Sequence, residues 1–106
     1  MTETKIYVGL NDPETGRQLF ETEKYINILK GVCKSYKVAF SFSVAQGGYI
    51  HEDGAYTQEN SLIISLVDTK KGTVDEIARD LCAFFHQETV MITTNAVRTY
   101  YVRESL

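Results

Sequence analysis

Two amphipathic stripes, each set between stretches of two-residue alternation, constrain this chain more than any other feature of its sequence. From Thr22, read as an N-cap with Glu23 behind it at the positive end of the helix dipole, the apolar residues are Tyr25, Ile26, Leu29, Val32, Cys33 and Tyr36. Their steps of one, three and four trace one helical stripe, and Lys24, Asn27, Lys30 and Lys34 fall on the wet side. A second stripe follows Thr73, whose Glu76 three residues on fits a capping box: Val74, Ile77, Ala78, Leu81, Phe84 and Phe85. His86 then stands in the last turn, where an imidazole suits the negative end of the dipole.

The stretches around these stripes read as strands. Ile6, Val8 and Leu10 alternate with Lys5, Tyr7 and Gly9, and the turn residues Asn11 to Gly16 end that run. Val38, Phe40, Phe42 and Val44 alternate with Ala39, Ser41, Ser43 and Ala45, the cleanest period of two in the chain and a heavily apolar inner face. Leu62, Ile64 and Leu66 mark a third strand, paired with the second in a hairpin whose far end turns at Asp53-Gly54. Residues 88–94 and 96–102 are rich in β-formers, as two strands joined at Asn95 or as one long strand bulged there. The class is α+β. The order strand, helix, strand, strand, helix, strand is that of the ferredoxin-like arrangement, closed here by an extra C-terminal strand or strand extension. Right-handed crossovers lay both helices on one face of a single antiparallel sheet. The other face carries Tyr7, Ile63 and Met91, which predicts burial against another subunit.

At 106 residues and 43% hydrophobic, the chain suits one domain spanning 1–106 with one core. Eleven basic against 14 acidic residues give a net charge of -3, which mildly repels a phosphate backbone, so no nucleic-acid partner is expected. The start lacks the basic and apolar pattern of a secretory signal, and no apolar run approaches the roughly 18 residues of a membrane span. The expectation is a cytoplasmic protein with no membrane partner. Cys33 and Cys82 sit on the apolar stripes and read as free core thiols, although helices packed side by side leave a disulfide geometrically open.

The run Gln46-Gly47-Gly48-Tyr49, the polar lead-in Glu59-Asn60-Ser61 to the third strand, and Phe85-His86-Gln87-Glu88-Thr89-Val90 before the fourth resemble the uncharacterised bacterial family DUF3574, which has no established activity. The layout also resembles the PII and CutA group. That likeness implies a trimeric ferredoxin-like protein in which the extended connection between strands two and three, residues 46–60 here, takes part in ligand or partner contact. The nucleotide-binding residues of PII are not recognisable, so ATP binding is not implied.

No residue cluster carries a catalytic signature. His51, Glu52 and Asp53 supply ligand types for a metal without a metal spacing, and a solvated hairpin tip is the plainer account. Gly47-Gly48 leads into a strand rather than a helix N-terminus, so a bulge or bend explains it more simply than a phosphate loop. His86 with Glu88 makes an acid/base pair only if helix capping does not already account for His86. The reading is a non-enzymatic, homo-oligomeric binding module with no cofactor. It holds a small-molecule ligand or a protein partner through Gln46, Gly47, Gly48, Tyr49, His51, Glu52, Asp53, Tyr56 and Glu59. Two other classes stay open: a small phage or mobile-element inhibitor of a host defence system, and a dimeric α+β barrel enzyme using His51 or His86 as proton carrier.

Overall fold

The computed structural model, which describes residues 1–105, has β1 (Thr2–Gly9), α1 (Thr22–Ser35), β2 (Ser41–Ile50), β3 (Tyr56–Val67), α2 (Lys71–Phe85) and β4 (Met91–Ala96). The four strands form one antiparallel sheet in the order β2-β3-β1-β4. Registers follow the alternation read from the sequence: Ile6 lies opposite both Ile64 and Ile92, and Val8 opposite Leu62. Ile6, Val8, Leu62, Ile64 and Leu66 are fully buried, and they share one core with Leu29 and Cys33 of α1 and Ile77 and Leu81 of α2. Each such aliphatic side chain contributes about 1.5–3 kcal/mol by leaving water. Tyr25 meets Phe85 edge-on at 5.1 Å between ring centroids, and the Tyr36 hydroxyl donates to Asp80 Oδ2 at 2.7 Å, so the two helices are joined by a packed and by a polar contact. Among the described residues no helix is long and apolar enough to cross a membrane.

Five expectations about the ends and edges of elements change. The C-terminal strand over 96–102 does not form: β4 stops at Ala96, opposite Thr2, where β1 begins and its ladder ends. One more backbone bond, from Val97 N to Met1 O at 3.0 Å, finishes the pairing. The second helix begins at Lys71, with Lys70 as N-cap and no side-chain cap, so Thr73 already lies inside the first turn and the capping box is not used. Likewise α1 begins at Thr22 with Glu21 as N-cap, and the Thr22 hydroxyl accepts from Gln18 Nε2 instead. In addition, β2 is an edge strand, so its inner face is only half covered and Val44 is 47% exposed. His86 closes α2 through its backbone, in the left-handed region at φ 55° with its N–H on Ala83 O, rather than through its ring.

The turn after β1 uses the predicted chemistry. Asp12 Oδ2 accepts from the Glu14 and Thr15 N–H groups, and Gly16 takes φ 69°. Beyond the helices, β2 and β3 continue as a paired ribbon from Gln46–Asn60 to Ile50–Tyr56. The molecule measures 59 × 28 × 27 Å. On the opposite sheet face Ser43, Ile63, Tyr7 and Met91 form one cross-strand row, with Met91 58% exposed.

Candidate functional site

A cleft of about 600 Å³ opens where the ribbon leaves the body of the domain. Its walls come from Gln46, Gly47 and Gly48 on β2, from Tyr56, Gln58, Glu59 and Asn60 on β3, and from Asn11 and Gln18 in the turn after β1. That turn is tied to the ribbon by a ladder of polar contacts. Leu10 N donates to Asn60 O at 3.0 Å, Asn11 Nδ2 to Gln58 O at 3.1 Å, and Asn60 Nδ2 to Gln18 Oε1 at 3.0 Å. Behind it Gln87 Nε2 holds Asn11 O at 2.8 Å, which anchors the cleft to the end of α2.

Two glycines set the positions of the two most distinctive side chains. A Cβ on Gly48 would lie 2.6 Å from Tyr56 Cε1 and 2.7 Å from its hydroxyl, so the phenol occupies the space that the missing side chain leaves. A Cβ on Gly9 would lie 2.7 Å from Glu59 Oε2, and that oxygen accepts the Asn11 N–H at 3.0 Å. Glu59 is half-buried, and among the described residues no lysine, arginine or histidine pairs with it. The cleft is therefore bordered by Glu59, whose carboxylate is fixed and makes no ion pair among the described residues, by an aromatic residue and by several carboxamides. Carboxamides donate and accept at once, which suits a ligand rich in both kinds of group.

Strand alternation divides the residues expected at the site. Gly48 and Tyr56 belong to the rows on the helix side of the ribbon, whereas Glu59 opposite Gly47 and Tyr49 opposite Thr57 start from the other side, and the Glu59 carboxylate reaches Asn11 across Gly9. Gln46, Gly47, Gly48, Tyr56 and Glu59 come together in the cleft, while Tyr49, His51, Glu52 and Asp53 stay at the tip, outside it. The tip is a local structure of its own: His51 stacks edge-on with Tyr49 at 4.9 Å, its Nε2 meets Thr57 Oγ1 at 2.6 Å, and Asp53 Oδ1 caps the Ala55 N–H at 2.9 Å. Gly47 and Gly48 pair in continuous register with Glu59 and Gln58, so the expected bulge is absent. Among the described residues no group of three or more His, Cys, Asp or Glu gathers as for a metal. Neither histidine borders the cleft.

Asn11, Gln18, Gln58 and Asn60 were not among the expected site residues. For two of them a signal existed: Gln58 and Asn60 continue the parity of Leu62, Ile64 and Leu66, which places polar side chains on the core side of a strand just past the core. Both cysteines are free. Burial pushes the Cys33 thiol up to about 11, which keeps it protonated and inert. Tyr36 is pushed up to about 12, first by its hydrogen bond to Asp80 and then by desolvation.

The family model of DUF3574, proteins of unknown function, matches residues 3–101, and the chain belongs to that family. Among solved structures it is similar to a phage SAM lyase in the apo state, at 25% identity and TM-score 0.68 over 89% of this chain and 78% of that one. It is also similar to a phage SAM lyase in complex with S-methyl-5'-thioadenosine, at 23% identity and TM-score 0.68 over 89% and 79%. The divalent cation tolerance protein CutA from Archaeoglobus fulgidus matches at 14% identity and TM-score 0.56 over 93% and 87%, a likeness of fold alone. No curated protein matches the sequence.

Proposed function

We propose that this DUF3574 protein is a homo-oligomeric binding module for an adenosyl sulfonium, with S-adenosylmethionine as its ligand, held in the cleft at the base of the β2–β3 ribbon. The observation that carries this is the Glu59 carboxylate, fixed by the Asn11 N–H and lacking a cationic partner among the described residues, at a cleft that Tyr56 also borders. A sulfonium centre offers the missing positive charge. The purine offers a face for the phenol, and the ribose diol and purine edge offer mixed donors and acceptors for Gln46, Gln58, Asn11 and Asn60. Similarity at 25% identity to the apo phage SAM lyase supports the same ligand class.

Calorimetry with S-adenosylmethionine, S-adenosylhomocysteine and S-methyl-5'-thioadenosine tests the reading. The expected result is saturable binding of S-adenosylmethionine that weakens in Tyr56→Ala while the fold is kept. No heat and no thermal shift with any of the three overturns it. Chromatography of the same mixtures adds one distinction: S-methyl-5'-thioadenosine accumulating in proportion to enzyme would make the cleft a lyase site. Its absence leaves a binder, whose withdrawal of the ligand from a host fits a small phage-borne inhibitor. A second reading rests on the tip, where Ile50 is 68% exposed beside Tyr49. There the ribbon contacts a protein partner, and Ile50→Asp abolishes co-purification without altering ligand binding.

A further inference from the structure

Residues 97–102 have the sequence of a strand and pair with no strand among the described residues. Val97, Thr99, Tyr100, Tyr101 and Val102 are β-formers, yet Tyr100, Tyr101 and Val102 stand 79%, 84% and 87% exposed, three large apolar side chains in succession. Isolated apolar side chains on a surface are ordinary, but a contiguous exposed run marks a contact. The reason for the exposure is topological. The ladder of β1 and β4 ends at the Thr2–Ala96 pair, and among the described residues no strand lies beside the segment that follows.

The sheet has the complementary defect at its other side. β2 is an edge strand of ten residues, Ser41–Ile50, whose outer N–H and C=O groups pair with no other element among the described residues. Exposed edges are ordinarily guarded by lysine, proline or a bulge. This one contains no charged residue and no proline, and its register is unbroken. Charge agrees as well: the tail carries Arg98 and Arg103, and the ribbon bordered by β2 carries Glu52, Asp53 and Glu59.

We infer that residues 97–102 of one copy add as a strand to the free β2 edge of a second copy, and that the added strand walls the open side of the second copy's cleft. Six residues fit within the ten of the edge, and main-chain pairing of this kind needs only an extended segment and a bare edge. Because the tail and the edge lie on different sides of the sheet, the contact is head-to-tail, and copies close into a ring when the rotation allows. Gln46, Gly47 and Gly48 belong both to this edge and to the cleft, so the incoming segment brings Arg98 and the tyrosines beside the ligand site. The inference rests on the homo-oligomeric part of the function proposed above and not on the identity of the ligand.

The test compares the full chain with a chain ending at Ala96 and with Tyr100→Asp/Tyr101→Asp, by light scattering after size exclusion and by hydrogen exchange at residues 41–50. The exposed tail leaves the core untouched, and a single cooperative melting transition with an unchanged far-ultraviolet circular dichroism spectrum verifies that both variants fold, at whatever temperature the loss of the oligomer sets. The expected result is a finite oligomer with protected β2 amides for the full chain, and loss of both in the two variants. A labelled peptide of residues 97–103 then binds the shortened chain and is displaced by the full chain. A monomeric full chain at every concentration overturns this inference together with the oligomeric reading, while calorimetry on the same samples still decides ligand binding separately. An oligomer that keeps its size and its β2 protection without the tail overturns this inference alone.

Discussion

Glu59→Gln isolates the charge on which the ligand assignment depends. Gln has nearly the same shape, and its carbonyl oxygen still accepts the Asn11 N–H now held at 3.0 Å, so the substitution removes the charge and keeps the contact. Loss of charge assistance in that bond changes stability by about 0.5–1.5 kcal/mol. The effect on binding is larger. Opposite unit charges about 4 Å apart attract by about 1 kcal/mol in water and about 4 kcal/mol at the effective dielectric of a protein surface. Glu59 is half-buried at the rim of an open cleft, which lies between those limits. S-adenosylmethionine affinity therefore falls between about fivefold and several-hundred-fold, at about 1.4 kcal/mol per factor of ten. S-adenosylhomocysteine has the same adenosyl and amino-acid groups without the sulfonium charge, and its affinity changes little. Titration calorimetry of both ligands on both proteins, repeated at low and high salt, reads the difference directly, and the gap between ligands narrows as salt rises. Equal losses for the two ligands would show that Glu59 does not face the sulfonium, and no loss for either would remove it from the site.

Gly48→Ala places a Cβ where the Tyr56 ring lies, so ligand affinity falls in calorimetry. The melting temperature barely moves, because about 0.5–1 kcal/mol gained from replacing a strand glycine offsets a displaced rotamer of similar cost. Leu81→Ala, at a fully buried site between α2 and the sheet, lowers unfolding free energy by about 2–5 kcal/mol in urea titration, and a value below 1 kcal/mol would contradict the core described. Alkaline titration of stability has a defined sign. Burial pushes the Cys33 thiol from its ordinary 9.0 up to about 11, so its contribution to stability is whole below pH 9 and is lost as pH rises through 11. Tyr36, raised to about 12, acts in the same direction at higher pH, and Cys33→Ala flattens the slope between pH 9 and 11. His51→Ala at the tip leaves S-adenosylmethionine affinity unchanged, and a loss there would move the site from the cleft to the tip.

The element order was legible because buried strands and helices repeat their apolar residues at different periods, and here both periods are clean. Leu62, Ile64 and Leu66 point inward as alternation requires, and the stripes at Leu29 and Leu81 meet them. The expectations that changed all concern ends and edges. Whether Val44 is covered depends on where β2 sits in the sheet order, and whether 96–102 forms a strand depends on where β1 begins, neither of which is a property of those residues. Thr73 and Glu76 have the spacing of a capping box, but a helix that has already started at Lys71 leaves the box nothing to cap.

The site was half legible for the same reason. Residues 46–60 read as one unit in sequence, but a ribbon has two faces, and alternation starts Tyr56 on one side and Tyr49 and Glu59 on the other. The polar residues that matter most at the cleft, Gln58 and Asn60, sit at core parity just beyond the last buried leucine, and in a strand that position means that the core has ended and a cleft or a partner has begun. Asn11 and Gln18 had no such pattern. They reach the cleft because the turn after β1 folds over β3, a long-range fact written in the Leu10 to Asn60 bond rather than in local sequence. The glycines complete the logic from the opposite direction. Gly48 and Gly9 look like loop residues in isolation, yet each lies within a strand and leaves space for one functional side chain, Tyr56 and Glu59. A strand glycine opposite a polar or aromatic residue is thus a stronger pointer to a binding surface in this fold than the exposed histidine and carboxylates at the tip.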